Sequence, residues 1–298
     1  MKRRLQGSTF LLAATMIWGA AFVAQSVGMD HVGPFTFQAV RCLLAFIGLI
    51  PVVWIMDRFK KDGSSFLKRW LDKDLWKAGI LCGIPLFLAC NLQQIGLVDT
   101  DAGKSAFLTA MYIVIVPVIG IFLKKKPSRW IPISVILAVG GLYCLCCAEV
   151  SSVSLSDILL LGCAFMFAVQ ILFVEKFAST VDALRLNTIQ ALVCGVLSTP
   201  FMLFGESVSL ASIGQCWLPL AYAGFLSMGA AYSFQILGQK HLESTAASLI
   251  MSLESVFAVL FGCLILKEQL SNWEILGCIL VFAAVILSQL PSKKRCVA

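Results

Sequence analysis

Charge is what this sequence has least of. Lysine, arginine, aspartate and glutamate make up 13% of its 298 residues, against 59% hydrophobic, whereas soluble domains carry roughly 25% charged residues. That excludes an ordinary water-soluble globule. Histidine is scarcer still: His31 and His241 both fall in connections between apolar runs, so a serine–histidine dyad inside a membrane has no base. Every aspartate lies in a connection or at the end of a run, which removes an intramembrane aspartyl dyad. The GKS at 103–105 has Val98 where a phosphate loop needs its first glycine. Cys144, Cys146 and Cys147 have no histidine nearby to complete a metal site, and most of the twelve cysteines sit within apolar runs, where cysteine packs as a small apolar side chain. No enzyme, metal or cofactor is expected. Alternating ten-residue segments are also absent, which removes a transmembrane barrel.

What remains is long apolar runs. Hydrocarbon offers the backbone no hydrogen-bond partners, so a run of about 20 apolar residues reads as a membrane-spanning helix. Ten such runs are present, near 9–27, 35–56, 77–97, 103–123, 130–148, 156–174, 185–204, 215–237, 244–266 and 273–290. The predicted fold class is an all-α membrane protein. If the amino terminus is cytoplasmic, twenty lysines and arginines fall on the cytoplasmic side and only Lys104 and Lys267 outside. Positively charged connections stay inside, so both termini are expected in the cytoplasm of a multi-pass protein of the cell's cytoplasmic (inner) membrane. The net charge of +7 is this orientation signal, helped by anionic lipid heads, and no nucleic-acid partner is expected. The first run follows Lys2, Arg3 and Arg4, but bulky Phe22 before Ala24 argues for an uncleaved helix over a secretory signal. The connection RFKKDGSSFLKRWLDKDLWK at 58–77 spaces Phe66, Leu67, Trp70, Leu71 and Leu75 among lysines, as an interfacial helix would.

The runs repeat. Laying 92–126 on 234–268, an offset of 142, matches Gln93 with Gln235, Gly96 with Gly238, Val114 with Val256, Gly120 with Gly262 and Lys125 with Lys267. It also places Tyr112 on Glu254. Aligning Pro51 with Pro200 puts Gln38 on Asn187 and Arg41 on Gln190. Polar positions are duplicated while their charges are not. In the ninth run one half-circle gathers Ser244, Ser248, Ser252, Ser255 and Glu254, and the other Leu249, Leu253, Val256 and Phe257; the apolar half is expected to meet acyl chains. The units are 9–148 and 156–290. Five spans per unit start the second unit on the opposite side from the first, giving two inverted five-helix repeats, the architecture of secondary transporters.

The stretches MIWGAAFVAQ, FTFQAVRCLLAF, TDAGKSAFLTAMYIVIVPVIG and SLESVFAVLFGCLILKEQLS together resemble the EamA family of the drug/metabolite transporter superfamily. The likeness covers nearly the whole chain. Its most specific part is LESVFA with LKEQL, similar to the family's Leu-Glu-Pro segment followed by Leu-Gly-Glu. Ser255 stands where the family usually has proline and Lys267 where it has glycine, and the first unit has LKKKP without a glutamate at that turn. The resemblance implies a ten-helix transporter of small metabolites or amino-acid-like compounds, often an exporter, without an ATPase. The alternatives are a multidrug or cation efflux transporter and, behind it, a receptor or scaffold that transports nothing.

Arg41 and Glu254 are the two charges well inside spans. An unpaired charge there costs at least about 2.5 to 3.5 kcal/mol, so each should face the interior. At 1.5 Å per residue their depths differ by about 6 Å, within an arginine's reach. Glu254 is the candidate for proton exchange or substrate contact, and Arg41 for an anion or a helix staple. Further candidates are Tyr112, Asn91 and Gln94, the amides Gln25, Gln170 and Gln235, the aromatic Trp18, and Ser248 and Ser252 on the polar face of Glu254's helix. Pro85 and Pro117 mark candidate bends, and Gly79 with Gly83 a packing face. The expected partners are a small-molecule substrate and membrane lipids; a homodimer is compatible with the sequence.

Overall fold

A computed structural model describes residues 2–59, 66–100, 102–125, 128–146, 154–266 and 271–290. Ten apolar helices are present in it. They are α1 (Lys2–Met29), α2 (Pro34–Arg58), α3 (Lys73–Gly96), α4 (Ala102–Ala110 and Tyr112–Phe122), α5 (Ile131–Cys146), α6 (Leu155–Phe177), α7 (Ala183–Gly205), α8 (Trp217–Gln239), α9 (Ser244–Met251 and Leu253–Leu266) and α10 (Asn272–Gln289). Nine are long and apolar enough to cross a membrane, and α5 is a shorter apolar helix. No strand occurs among the described residues. Side chains such as Ile47, Ile136, Phe204 and Phe282 stand exposed, as a protein solvated by lipid requires.

Helices start where local chemistry satisfies their free N–H groups. Asp72 caps α3 and Asp182 caps α7, while Ser154 with Asp157 and Ser271 with Glu274 form capping boxes on α6 and α10. The cap at Asp72 corrects the reading of the 58–77 connection. Phe66–Trp70 forms a short helix, but Leu75 belongs to α3 and is buried. The short helix lies over the end of the bundle, with Arg69 on Asp57 at 2.7 Å.

The packing maps onto itself when the halves are exchanged. The pair α3–α6 corresponds to α8–α1, α3–α7 to α8–α2 and α4–α6 to α9–α1, while α2–α7, α4–α9 and α5–α10 are their own counterparts. Individual atoms follow. A methyl group on Gly96 would sit 2.7 Å from Leu160 Cγ and 3.2 Å from the Ser156 carbonyl oxygen; one on Gly238 would sit 2.6 Å from Leu11 Cγ and 2.9 Å from the Gly7 carbonyl oxygen. These contacts relate α3 to α8 by 142 positions, and α1 to α6 by 149. Close backbone approach at both places needs a residue without a side chain. Gly79 and Gly83 do the same work against Ile189 and Val193 of α7, so this pair packs helices.

The same exchange relates the ends of the α2–α7 pair. Asp57, at the end of α2, pairs with Arg185 at the start of α7. Its counterpart 149 positions on is Glu206, just past α7, which accepts from the backbone N–H groups of Phe35 and Thr36 at 2.8 Å and from Thr36 Oγ1 at 2.6 Å. One end is closed by an ion pair and the other by a carboxylate capping a helix.

One expectation fails over part of its length. In the apolar half-circle of α9, Leu249, Ile250, Leu253 and Val256 are buried, while Phe257, Leu260 and Phe261 are half-buried. α1, α4, α5 and α10 pack around α9, so the first part of its apolar side meets protein. Helical phase distinguishes polar from apolar neighbours, and there both kinds of neighbour are helices.

Candidate functional site

The helices carrying the candidate acid are broken in midspan. α4 turns at Met111 and α9 at Ser252, so Tyr112 opens the second segment of α4 and Glu254 stands in the first turn of the second segment of α9. Tyr112 Oη donates to Glu254 Oε1 at 3.0 Å, and these residues are 142 positions apart. Cys90 Sγ lies 3.7 Å from Tyr232 Oη, again 142 apart. Residues exchanged by a two-fold can touch each other only where its axis passes between them. Both contacts therefore mark the axis relating the two halves.

A cavity surrounds that axis. Its lining comes in exchanged pairs: Gln93 and Gln235, Thr109 and Met251, Tyr112 and Glu254 at 142 positions; Trp18 and Phe167, Phe22 and Ile171 at 149. Arg41, Gln25 and Tyr232 complete a wall that mixes aromatic faces with amides and two charges. Trp18 packs edge-on against Tyr232 and Tyr112 edge-on against Phe167, with ring centroids at 5.0 and 6.5 Å.

Arg41 is 3% exposed. Its Nε donates to Gln38 Oε1 and its Nη1 to Gln25 Oε1, each at 2.6 Å. Gln38 is anchored in turn, with Nε2 3.1 Å from both Cys42 Sγ and Cys194 Sγ. Arg41 and Glu254 share the cavity, but among the described residues Arg41 makes no ion pair. In the other half Gln190 Nε2 donates to Asn187 Oδ1 at 2.8 Å, repeating the Arg41–Gln38 geometry without charge. A neutral amide chain continues from Gln235 to Gln170 at 3.0 Å and on to Gln190 at 3.4 Å.

Asn187 also stabilises an irregular stretch. Residues Tyr222–Ala231 of α8 form a π-helix, whose wider turns leave carbonyls exposed. Asn187 Nδ2 donates to the carbonyls of Met228 and Gly229 at 3.0 and 2.7 Å, and to Ser233 Oγ at 2.9 Å. The counterpart of Ser227 in this stretch is Pro85, which interrupts the hydrogen bonding of α3. Both helices that flank the axis are irregular at the same level.

Of the residues singled out from sequence, Trp18, Gln25, Arg41, Tyr112, Gln235 and Glu254 meet at the cavity. Gln170 stands one hydrogen bond behind it. Asn91 instead ties α3 to α7 through Ser198 Oγ at 2.9 Å. Gln94 is fully buried, and neither of its amide atoms has a partner among the described residues. Ser248 and Ser252 bond carbonyls of their own helix, Thr245 at 2.9 Å and Leu249 at 2.8 Å. Gln93, Thr109, Phe167, Ile171 and Met251 line the cavity beside the candidates that meet there, as do Ala21, Phe22 and Ser227, and none of these eight was a candidate from the sequence. The 142 offset pairs Gln93 with Gln235 and the 149 offset pairs Phe167 with Trp18, whereas Thr109, Ile171 and Met251 have no counterpart among those candidates.

The model of the EamA-like transporter family matches residues 5–147 and 154–290, one match per half. The chain belongs to this family. An uncharacterized transporter of Archaeoglobus fulgidus is 30% identical over 289 residues, covering 97% of this chain and 87% of that one. The uncharacterized transporter YoaV of Bacillus subtilis is 24% identical, covering 96% and 97%. A solved crystal structure of a protein shares the fold at a TM-score of 0.78 and 15% identity, covering 95% of this chain and 96% of its own. As an EamA-like protein the chain is a multi-pass membrane transporter, and the two family units are the halves that meet at the cavity.

Proposed function

We propose that this transporter moves small polar metabolites, amino-acid-like compounds among them, across the cytoplasmic membrane by alternating access, outward and driven by the proton gradient. The observation that carries the reading is the Tyr112–Glu254 contact: an acid on the axis between exchanged halves, at breaks in both helices that hold it. An acid at that place reaches the cavity whichever side the halves open, and taking up a proton on one side and losing it on the other couples the gradient to the movement. The fixed amides and aromatic faces supply a site for a partly apolar solute. The basic end, with Lys2, Arg58, Arg185 and Lys240, is the cytoplasmic one by the positive-inside rule.

The test is flux in proteoliposomes under an imposed pH gradient, for a panel of metabolites, with wild type and Glu254→Gln side by side. Gradient-driven flux in wild type and its loss in Glu254→Gln is the expected result. Equal gradient dependence in both would remove Glu254 as the coupling acid, and no flux of any metabolite would remove transport of this class. Cysteine labelling from outside intact cells, at positions in each connection, tests the orientation.

A further inference from the structure

Arg41 is buried with two of its three nitrogens tied to neutral amides, and among the described residues it forms no ion pair. The geometry points to an anion subsite at Arg41 that takes the carboxylate of the transported solute. The inference rests on the transport reading for its role, but the binding itself does not depend on transport. Among the described residues Nη2 has no hydrogen-bond partner, and it is not among the nitrogens sealed inside protein. Arg41 is 3% exposed and lines the cavity, so the surface left to that nitrogen belongs to the cavity.

The two amides do more than satisfy the other nitrogens. Gln25 comes from α1 and Gln38 from α2, and Gln38 is itself held between two thiols. Together they fix the plane of the guanidinium, so a ligand oxygen meets a donor already oriented. A neutral amide cradle keeps the charge of Arg41 unspent, where a carboxylate in place of either glutamine would have cancelled it. The second half shows the contrast: Gln190, in the place of Arg41, closes on Asn187 and Gln170 and carries no charge to offer.

The charge selects a monoanion. Among the described residues Arg41 is the single cationic side chain in the lining, and Glu254 shares it. A dianionic phosphate would leave a net negative charge next to Glu254, whereas a carboxylate balances Arg41 alone. Glu254 Oε2 also lacks a partner among the described residues and is not sealed, so the same cavity accepts a donor group on the solute. The solute is then a carboxylate with an apolar body for Trp18, Phe22 and Phe167, and an amine is tolerated but not sufficient. This separates it from the cations that a multidrug efflux transporter would carry.

Three compounds with one apolar body make the test: 3-phenylpropanoate, phenylalanine and 2-phenylethylamine, titrated against the full chain in detergent and read by calorimetry. Both carboxylates are expected to bind at least about tenfold more tightly than the amine, which presents no oxyanion to the guanidinium. Arg41→Gln should erase that preference, and Arg41→Lys should retain a weaker one. Because Arg41→Gln could fail to fold, a second measurement uses wild type alone. Binding of 3-phenylpropanoate should protect the Arg41 peptide from phenylglyoxal, read by mass spectrometry. An amine that binds as well as the carboxylates, a preference that survives Arg41→Gln, carboxylates that do not bind, or no protection each overturn the subsite. Carboxylate binding without flux in proteoliposomes would instead overturn transport and leave the subsite standing.

Discussion

The two halves of this molecule share a frame and divide the chemistry. Gly96 against Leu160 and Gly238 against Leu11 are the same contact twice, and Cys90–Tyr232 and Tyr112–Glu254 lie on the axis that relates them. Yet the first half places a cation at Arg41 where the second has Gln190, and the second places an acid at Glu254 where the first has Tyr112. If the halves exchange conformations as proposed, backbone contacts must match in both, because overpacking either one would favour a single state. Side chains that only line the cavity are under no such constraint. The duplicated frame therefore permits one cation and one acid, each present once, in a cavity served by both halves.

The sharpest way to break the comparison is to equalise the acid. Glu254→Gln removes the titrating group at the axis and is expected to abolish the dependence of flux on the pH gradient, leaving at most downhill exchange. Exchanging the pair, Tyr112→Glu with Glu254→Tyr, is expected to return part of that dependence, since the acid again sits on the axis. Flux at a series of symmetric pH values checks both: the profile should be flat in Glu254→Gln and sloped in the exchanged pair. A flat profile in the exchanged pair would show that the half holding the acid matters as well as its place on the axis.

The next effect compares the ends of α2–α7. Asp57→Ala leaves Arg185, which is 1% exposed, with Asp182 at 3.6 Å as a remaining partner. Stranding a buried charge costs about 3 to 5 kcal/mol, and the residual pair places this variant near about 3. The fall is measurable as loss of the folded fraction in a detergent melt. A loss smaller than that of Glu206→Gln at the other end would show that Arg185 is better solvated than its burial indicates.

Much of this was readable from the chain. Ten apolar runs gave the ten helices, and the 142 offset put Tyr112 on Glu254 without showing that they touch. Contact between equivalent positions follows only once an axis is known to pass there. The same limit explains Asn91, Ser248 and Ser252: a polar side chain at membrane depth must find a partner, and a sequence does not say whether that partner is a solute, another helix or its own carbonyl. Asn91 found Ser198. The breaks at Met111 and Ser252 have no proline or glycine at the break itself, and the π-helix of α8 contains no proline. The π-helix is held by Asn187 from another helix, which local propensity does not record, while Ser252 at its turn bonds the carbonyl of Leu249 in its own helix.

A smaller difference separates the matched glycines. Gly238→Ala would bring a methyl within 2.9 Å of a backbone oxygen, that of Gly7, while at Gly96 the corresponding oxygen of Ser156 is 3.2 Å away and the nearer atoms belong to the Leu160 side chain. A side chain can turn aside where a backbone cannot. Overpacking costs typically about 1 to 3 kcal/mol, with Gly238→Ala expected toward the top of that range and Gly96→Ala toward the bottom, as midpoints of detergent melts would show. The reversed order would mean that α1 yields more readily than Leu160, placing the softer seam between α1 and α8.

The least effect is expected from Glu206→Gln. The carboxylate accepts two backbone N–H groups and a hydroxyl at the start of α2, and glutamine keeps one of its two acceptor oxygens while losing the charge. Capping is worth about 0.5 to 2 kcal/mol, and partial retention puts the loss near about 1. Its use lies in the contrast with Asp57, its counterpart in the first half. Both acids hold the neighbouring helix start, but one neutralises a buried arginine and the other satisfies peptide groups that carry only partial charge. The same removal of an acid should therefore weaken the basic end of α2–α7 by more than it weakens the opposite end. A loss from Glu206→Gln equal to that from Asp57→Ala would show that closure of this helix pair depends on the position of the acid and not on the charge it meets.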